Sequence, residues 1–140
     1  MENAQKAGIE AVIAIGEDDM LTAAHKMADY CLKCVGVPKT IDNDIVGTDY
    51  TFGFNTAVHI ATEALDRLHT TAEAHNRVMG RYTGHIALAA GIAGGANAIL
   101  IPEKPFDEDE VCEYIRRRHM RGRNFSLIVV AEGTKPKGGK

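Results

Sequence analysis

Apolar residues along this chain recur with two different periods. The runs "AVIAIG" (Ala11–Gly16), "CVGVP" (Cys34–Pro38), "AILIPE" (Ala98–Glu103) and "FSLIVVAEG" (Phe125–Gly133) are short and nearly continuous, which predicts buried strands. Between them the period lengthens to that of a helix. One helix is expected over about Leu21–Lys33. A second follows from Ala57, Ile60, Ala61, Ala64, Leu65 and Leu68, which form one stripe at i, i+3, i+4, i+7, i+8 and i+11. "GHIALAAGIAGGA" (Gly84–Ala96) predicts a third, with a face small enough to approach a sheet closely. "FDEDEVCEYIRRRHMRGR" predicts a fourth, with acids in its first turn and arginines in its last, the arrangement the helix dipole favours. Strands alternating with helices imply βαβ units and a parallel sheet. No internal repeat or low-complexity linker interrupts the alternation.

Composition narrows the function classes. The chain has 140 residues, enough for one domain with a real core, and a net charge of −3. That balance asks for neither nucleic acid nor an anionic membrane. The longest uncharged run, Ile86–Pro102, contains Asn97 and several glycines and falls short of the ~20 apolar residues of a membrane span. The N-terminus lacks a basic region followed by a hydrophobic one, so no signal peptide is expected and a cytoplasmic location is the default. Cys31 and Cys34 have the spacing of redox or zinc pairs. No second pair or nearby histidine completes a site, and buried or half-buried thiols are the favoured reading. The arginines Arg116, Arg117, Arg118, Arg121 and Arg123 suit phosphate or nucleic acid in one reading and a solvated helix end in the other. The second is favoured, because Glu113 can reach Arg116 or Arg117.

The candidate chemistry lies where strands end. Val35 and Val37 can close a core, but Lys39, Thr40, Asp42 and Asp44 cannot be buried without partners. If the segment stays extended, Thr40, Asp42 and Asp44 project to one side. A carboxylate there can take a proton from a substrate hydroxyl, and Lys39 suits an anionic substrate. The competing reading is an aspartate-rich turn that caps the next helix, and residue chemistry alone leaves the two open. "GEDDM" (Gly16–Met20) follows another strand with acids that suit magnesium or a helix start. "MGR" (Met79–Arg81) joins a glycine turn to a phosphate-capable arginine, and Glu103 can bond sugar hydroxyls. The glycines of Gly84–Ala96 follow no strand directly, so packing explains them better than a nucleotide loop does.

The blocks "PKTIDNDIVGTDYTFGFNTAV", "MGRYTGHIALAAGIAGGA" and "ILIPE" resemble the central signature blocks of the 6-phosphofructokinases, in order and in most spacings. The resemblance covers nearly the whole chain, but only roughly the middle of a family member. It implies an α/β fold, a three-layer sandwich with a mainly parallel sheet, here incomplete. Residues 1–140 would be a partial domain without the family's N-terminal phosphate loop and C-terminal part. It implies transfer of a phosphoryl group to the 1-hydroxyl of fructose 6-phosphate, with Mg2+ as cofactor. Asp42 would be the general base, flanked by Thr40 and Asp44. Met79, Gly80, Arg81 and Glu103 would hold the sugar phosphate. Arg77 would match an arginine lent to a neighbouring subunit, implying a homo-oligomer. Asp18 would sit near magnesium, and Gly16, Asp19 and Lys39 on the donor. Asp19 and Lys39 resemble pyrophosphate users more than ATP users, because a carboxylate at Asp19 would repel a nucleotide α-phosphate.

Three departures from the family carry expectations of their own. By the resemblance, the family's phosphate loop and C-terminal arginines are expected to fall outside these residues, and each donor lost would be worth on the order of 10²-fold in rate. An inactive fragment, acting at most as a binding or assembly module, is therefore the rival reading. Only Val78 separates Arg77 from Met79, so the strand that delivers Arg81 to the sheet edge is expected to be missing. Glu17 stands where the family has a second glycine, an obstruction if that position needs a positive φ or a close phosphate approach. An NAD or lipid kinase would need a "GGDGT"-like loop, which "GEDDM" matches poorly.

Overall fold

The computed structural model describes residues 2–69, 76–78, 83–123 and 125–139. It divides into two compact units, residues 1–53 and 54–140. The first opens with a short helix, α1 (Glu2–Lys6), followed by β1 (Ala11–Gly16), α2 (Asp18–Ala28), β2 (Lys33–Thr40) and β3 (Phe52–Gly53). Its sheet has the order β1-β2-β3 with both pairings parallel. The second unit runs α3 (Phe54–His69), β4 (Asn76–Val78), α4 (His85–Ala93), β5 (Ala98–Leu100), α5 (Glu108–Met120) and β6 (Ile128–Ala131). Its sheet has the order β4-β6-β5, again all parallel. Parallel strands linked through helices give the α/β architecture that the alternation predicts.

In the first unit α2 packs on β1 and β2. It starts earlier than the apolar spacing suggests, because the acids Asp18 and Asp19 belong to its first turn. It also stops earlier, at Ala28. Cys31 (φ 64°) takes the left-handed conformation that turns the chain toward β2. The helix covers the face that carries Ala14, Gly16 and Gly36. The alternate positions of β1 and β2 point the other way, Ile13 being 68% exposed and Val35 62%, and Phe52 of β3 is 64% exposed. Val35 therefore closes no core, contrary to expectation, because strand side chains alternate and α2 occupies one face only.

The second unit holds the larger core. Leu65 of α3, Ala87 and Ala90 of α4, Leu127, and Val129 and Ala131 of β6 form one buried cluster, with Val58, Ala61, Leu68, Ile99 and Ile101 against it. The stripe on α3 is rotated from its predicted position: Leu65 and Leu68 face in, whereas Ile60 is 60% exposed. The small face of α4 has the packing role expected of it. A Cβ on Gly91 would lie 2.7 Å from Cδ1 of Ile99, and one on Gly94 2.8 Å from Cβ of Leu65. Asp107 caps α5 through the N–H groups of Asp109 and Glu110, and Glu113 pairs with Arg117. Arg118 donates to the hydroxyl of Ser126 and lies over the ring of Tyr114. The arginines thus form the helix end that Glu113 predicts.

The strand expected to be missing before Met79 is present. Asn76–Val78 pairs with Val129–Ala131 as β4, so Arg77 and Val78 themselves supply the element, shortened to three residues.

Truncating Leu65 to Ala is expected to lower the unfolding free energy by about 2–5 kcal/mol. Ile60→Ala on the same helix should cost only about 0.5 kcal/mol. Urea denaturation of both variants checks the difference, and equal losses would contradict this description of the core.

Candidate active site

Strand direction assembles the site. Because β1 and β2 run parallel with Gly16 opposite Pro38, both release the chain at the same edge of their sheet. Carboxyl ends of parallel strands are where open α/β sheets bind ligands. From β1 the chain passes through Glu17 into α2, leaving Asp18 and Asp19 exposed on the first helical turn. From β2 it passes through exposed Lys39 and buried Thr40 into the loop that carries Asp42 and Asp44.

Thr40 is the last residue of β2 and only 7% exposed. Its hydroxyl accepts a hydrogen bond from the backbone N–H of Asp42 at 3.3 Å, which bends the chain away from the strand. The alternation therefore ends at Thr40. Asp42 is half-buried and Asp44 exposed, so Thr40, Asp42 and Asp44 do not share one extended face. The helix after the aspartates begins at Phe54, beyond β3.

Gly16 has a packing reason to lack a side chain: a Cβ there would lie 2.5 Å from Cβ of Met20, on the first turn of α2. Glu17 has φ −85° and ψ −171°, extended backbone that any residue adopts. The position held by the family's second glycine thus demands no positive φ in this chain.

In the second unit the parallel strands β4, β5 and β6 likewise end at one edge. Glu103 follows β5, and its Oε1 accepts the backbone N–H of Gly84 at 2.7 Å. Gly84 is the N-cap of α4, so the carboxylate lies where the helix dipole favours negative charge. A Cβ on Gly84 would meet Cβ and Cγ2 of Ile101 at 2.5 Å and Oε2 of Glu103 at 2.8 Å. Sequence reasoning missed this role, although a glycine immediately before an apolar helix is a signal for it. Arg77 lies in β4, opposite Val130. Met79, Gly80 and Arg81 lie outside the described residues.

Among the described residues no group of three or more His, Cys, Asp or Glu side chains could hold a metal ion by itself. Magnesium shared with substrate phosphates needs only one or two carboxylates, a demand that Asp18 fits. Contrary to the expectation of buried or half-buried thiols, Cys31 is exposed in the turn after α2, while Cys34 is half-buried; Cys112 is exposed, and all three are free. No helix among the described residues is long and apolar enough to cross a membrane.

Comparison with known proteins bears on the family and the fold. A sequence model of the family described as Phosphofructokinase matches residues 1–140. The chain is 54% identical over 145 residues to the ATP-dependent 6-phosphofructokinase 2 of Clostridium perfringens, covering 100% of this chain and 40% of that protein. It is 58% identical over 137 residues to the pyrophosphate–fructose 6-phosphate 1-phosphotransferase of Amycolatopsis methanolica, covering 94% and 40%. The chain thus spans 40% of the length of these curated relatives. Among solved structures, phosphofructokinase from Saccharomyces cerevisiae superposes with a TM-score of 0.82 at 34% identity, over 96% of this chain and 22% of that one. The pyrophosphate-dependent phosphofructokinase from Marinobacter aquaeolei superposes with a TM-score of 0.79 at 32% identity, over 96% and 39%.

Gly84→Ala is expected to lower stability by about 1–3 kcal/mol, because Ile101 and Glu103 must both move to admit a methyl group. Thermal or urea unfolding checks this, and a variant as stable as the parent would contradict the close approach described.

Proposed function

The chain belongs to the phosphofructokinase family, and from that premise we propose that it carries the proton-accepting and donor-contacting part of a 6-phosphofructokinase. The observation that carries the reading is the edge shared by β1 and β2. It presents Asp42 and Lys39 on one side of the pairing and Asp18 and Asp19 on the other.

In this reading the carboxylate of Asp42 takes the proton from the 1-hydroxyl of fructose 6-phosphate. The freed oxygen attacks the terminal phosphorus of the donor, and the bond from that phosphorus to the bridging oxygen breaks. Thr40 and Asp44 flank the reacting centre. Glu103, held by Gly84, bonds the sugar, with Met79, Gly80 and Arg81 on its phosphate and Arg77 serving a neighbouring subunit of a homo-oligomer. Lys39 neutralises donor charge, and Gly16 lies at the donor side of the edge. Phosphoryl transfer asks little more of a protein than position and positive charge. Magnesium, held by Asp18 together with donor phosphate oxygens, would supply further positive charge to the phosphates.

The donor we favour is pyrophosphate. An exposed carboxylate at Asp19 repels the α-phosphate of a nucleotide, whereas pyrophosphate has no further group to place there. The relatives carry both donor names at similar identity, so Asp19 and Lys39 are what support the choice.

The test is product formation by the purified chain with fructose 6-phosphate and magnesium, pyrophosphate and ATP being supplied in parallel. Turnover is expected with pyrophosphate, and Asp42→Asn should reduce it by at least about 10²-fold. Turnover with ATP alone would overturn the donor assignment. A folded chain inactive with both donors would instead favour a binding or assembly module.

A further inference from the structure

We propose that Asn43 and Thr51 are positioning residues, forming a clasp across the loop between β2 and β3 that fixes the orientation of Asp42. The proposal rests on the reading of Asp42 as the proton acceptor. Its physical basis is a set of hydrogen bonds that converge on the residues flanking Asp42.

Thr51 is 4% exposed. Its hydroxyl donates to the carbonyl of Thr40 at 2.7 Å, and its backbone N–H donates to Oδ1 of Asn43 at 2.9 Å. Nδ2 of Asn43 donates in turn to the carbonyl of Asp49 at 3.3 Å. The residue before the Ile41–Asp42 pair and the residue after it are thus both tied to one buried threonine. The N–H of Asp42 is itself held by the Thr40 hydroxyl. The carbonyl before the Ile41–Asp42 pair and the side chain after it are thus both held, whereas at the tip of the loop Val46 is 99% exposed and Gly47 has φ +89°.

Residue identity is constrained at both ends of the clasp. Asn43 has φ 56°, the left-handed region that asparagine tolerates better than most residues. Glycine would adopt this conformation as readily but would supply neither side-chain bond. At position 51 valine would fill the same volume, yet it would leave the buried carbonyl of Thr40 without its donor. The hydroxyl therefore has a use that burial alone does not explain. A general base must lie within hydrogen-bond reach of its proton, and misplacement by about 1 Å can cost 10²-fold. Pinning both flanks is how a loop residue meets that tolerance.

The experiment follows the Asp42 carboxyl carbon by NMR as pH is varied, in the whole chain and in Thr51→Val, Thr51→Ser and Asn43→Gly. Thr51→Val is expected to move the titration midpoint of Asp42 by about half a pH unit or more, with the serine variant restoring it. Asn43→Gly should move it likewise. Turnover should fall about tenfold in Thr51→Val while KM for fructose 6-phosphate stays within about twofold. The carbon titration reads the clasp independently of turnover. An unchanged midpoint in both Thr51→Val and Asn43→Gly, in chains whose circular dichroism matches the parent, overturns the proposal. A midpoint that moves as expected, beside full turnover in Asp42→Asn, upholds the clasp and removes Asp42 as proton acceptor.

Discussion

The parallel pairing of β1 with β2 is the constraint on which the candidate site depends. Register places Gly16 beside Pro38, so the acids that open α2 and the loop that leaves β2 emerge at one edge. An antiparallel pairing would send them to opposite ends of the sheet. The pairing is possible because α2 returns the chain across one face of the strands, and the small residues Ala14, Gly16 and Gly36 let it approach. The same logic recurs in the second unit. There β4, β5 and β6 run parallel, and Glu103 leaves β5 to meet the N-terminus of α4.

Much of this was legible in the residues. "AVIAIG" is β1 from end to end, and the apolar runs at Ala98 and Ile128 are strands. The charge gradient along α5 marks both its ends. The glycines of α4 read correctly as packing, since Ile99 and Leu65 occupy the space where side chains would stand. These features are local: they depend on which residues are neighbours in sequence, and periodicity reports that directly. The family, too, was legible in "PKTIDND" and "MGR", and a family match over residues 1–140 agrees.

The misses share a different character. Whether Val35 is covered depends on which sheet face a helix occupies, and the strand's own pattern does not encode that. Ile60 and Leu65 are both apolar on one helix, and only the positions of α4 and β6 decide which faces inward. Whether Thr40, Asp42 and Asp44 share an extended face was left open by the residues, and the Thr40 hydroxyl, which accepts the Asp42 N–H, bends the chain. A strand before Met79 was expected to be missing because only Val78 separates Arg77 from Met79, yet Asn76–Val78 forms one by pairing along one side of β6. In each case a contact distant in sequence, or a side chain bonding to backbone, decided what local pattern left open.

If the shared edge of β1 and β2 takes the phosphoryl donor, as proposed, amide chemical-shift mapping of the labelled chain titrated with magnesium pyrophosphate should show it. Perturbations are expected to concentrate at Gly16–Asp19 and at Lys39–Asp44. Perturbations centred instead on the arginines from Arg116 to Arg123, or no saturable change in a folded chain, would contradict it.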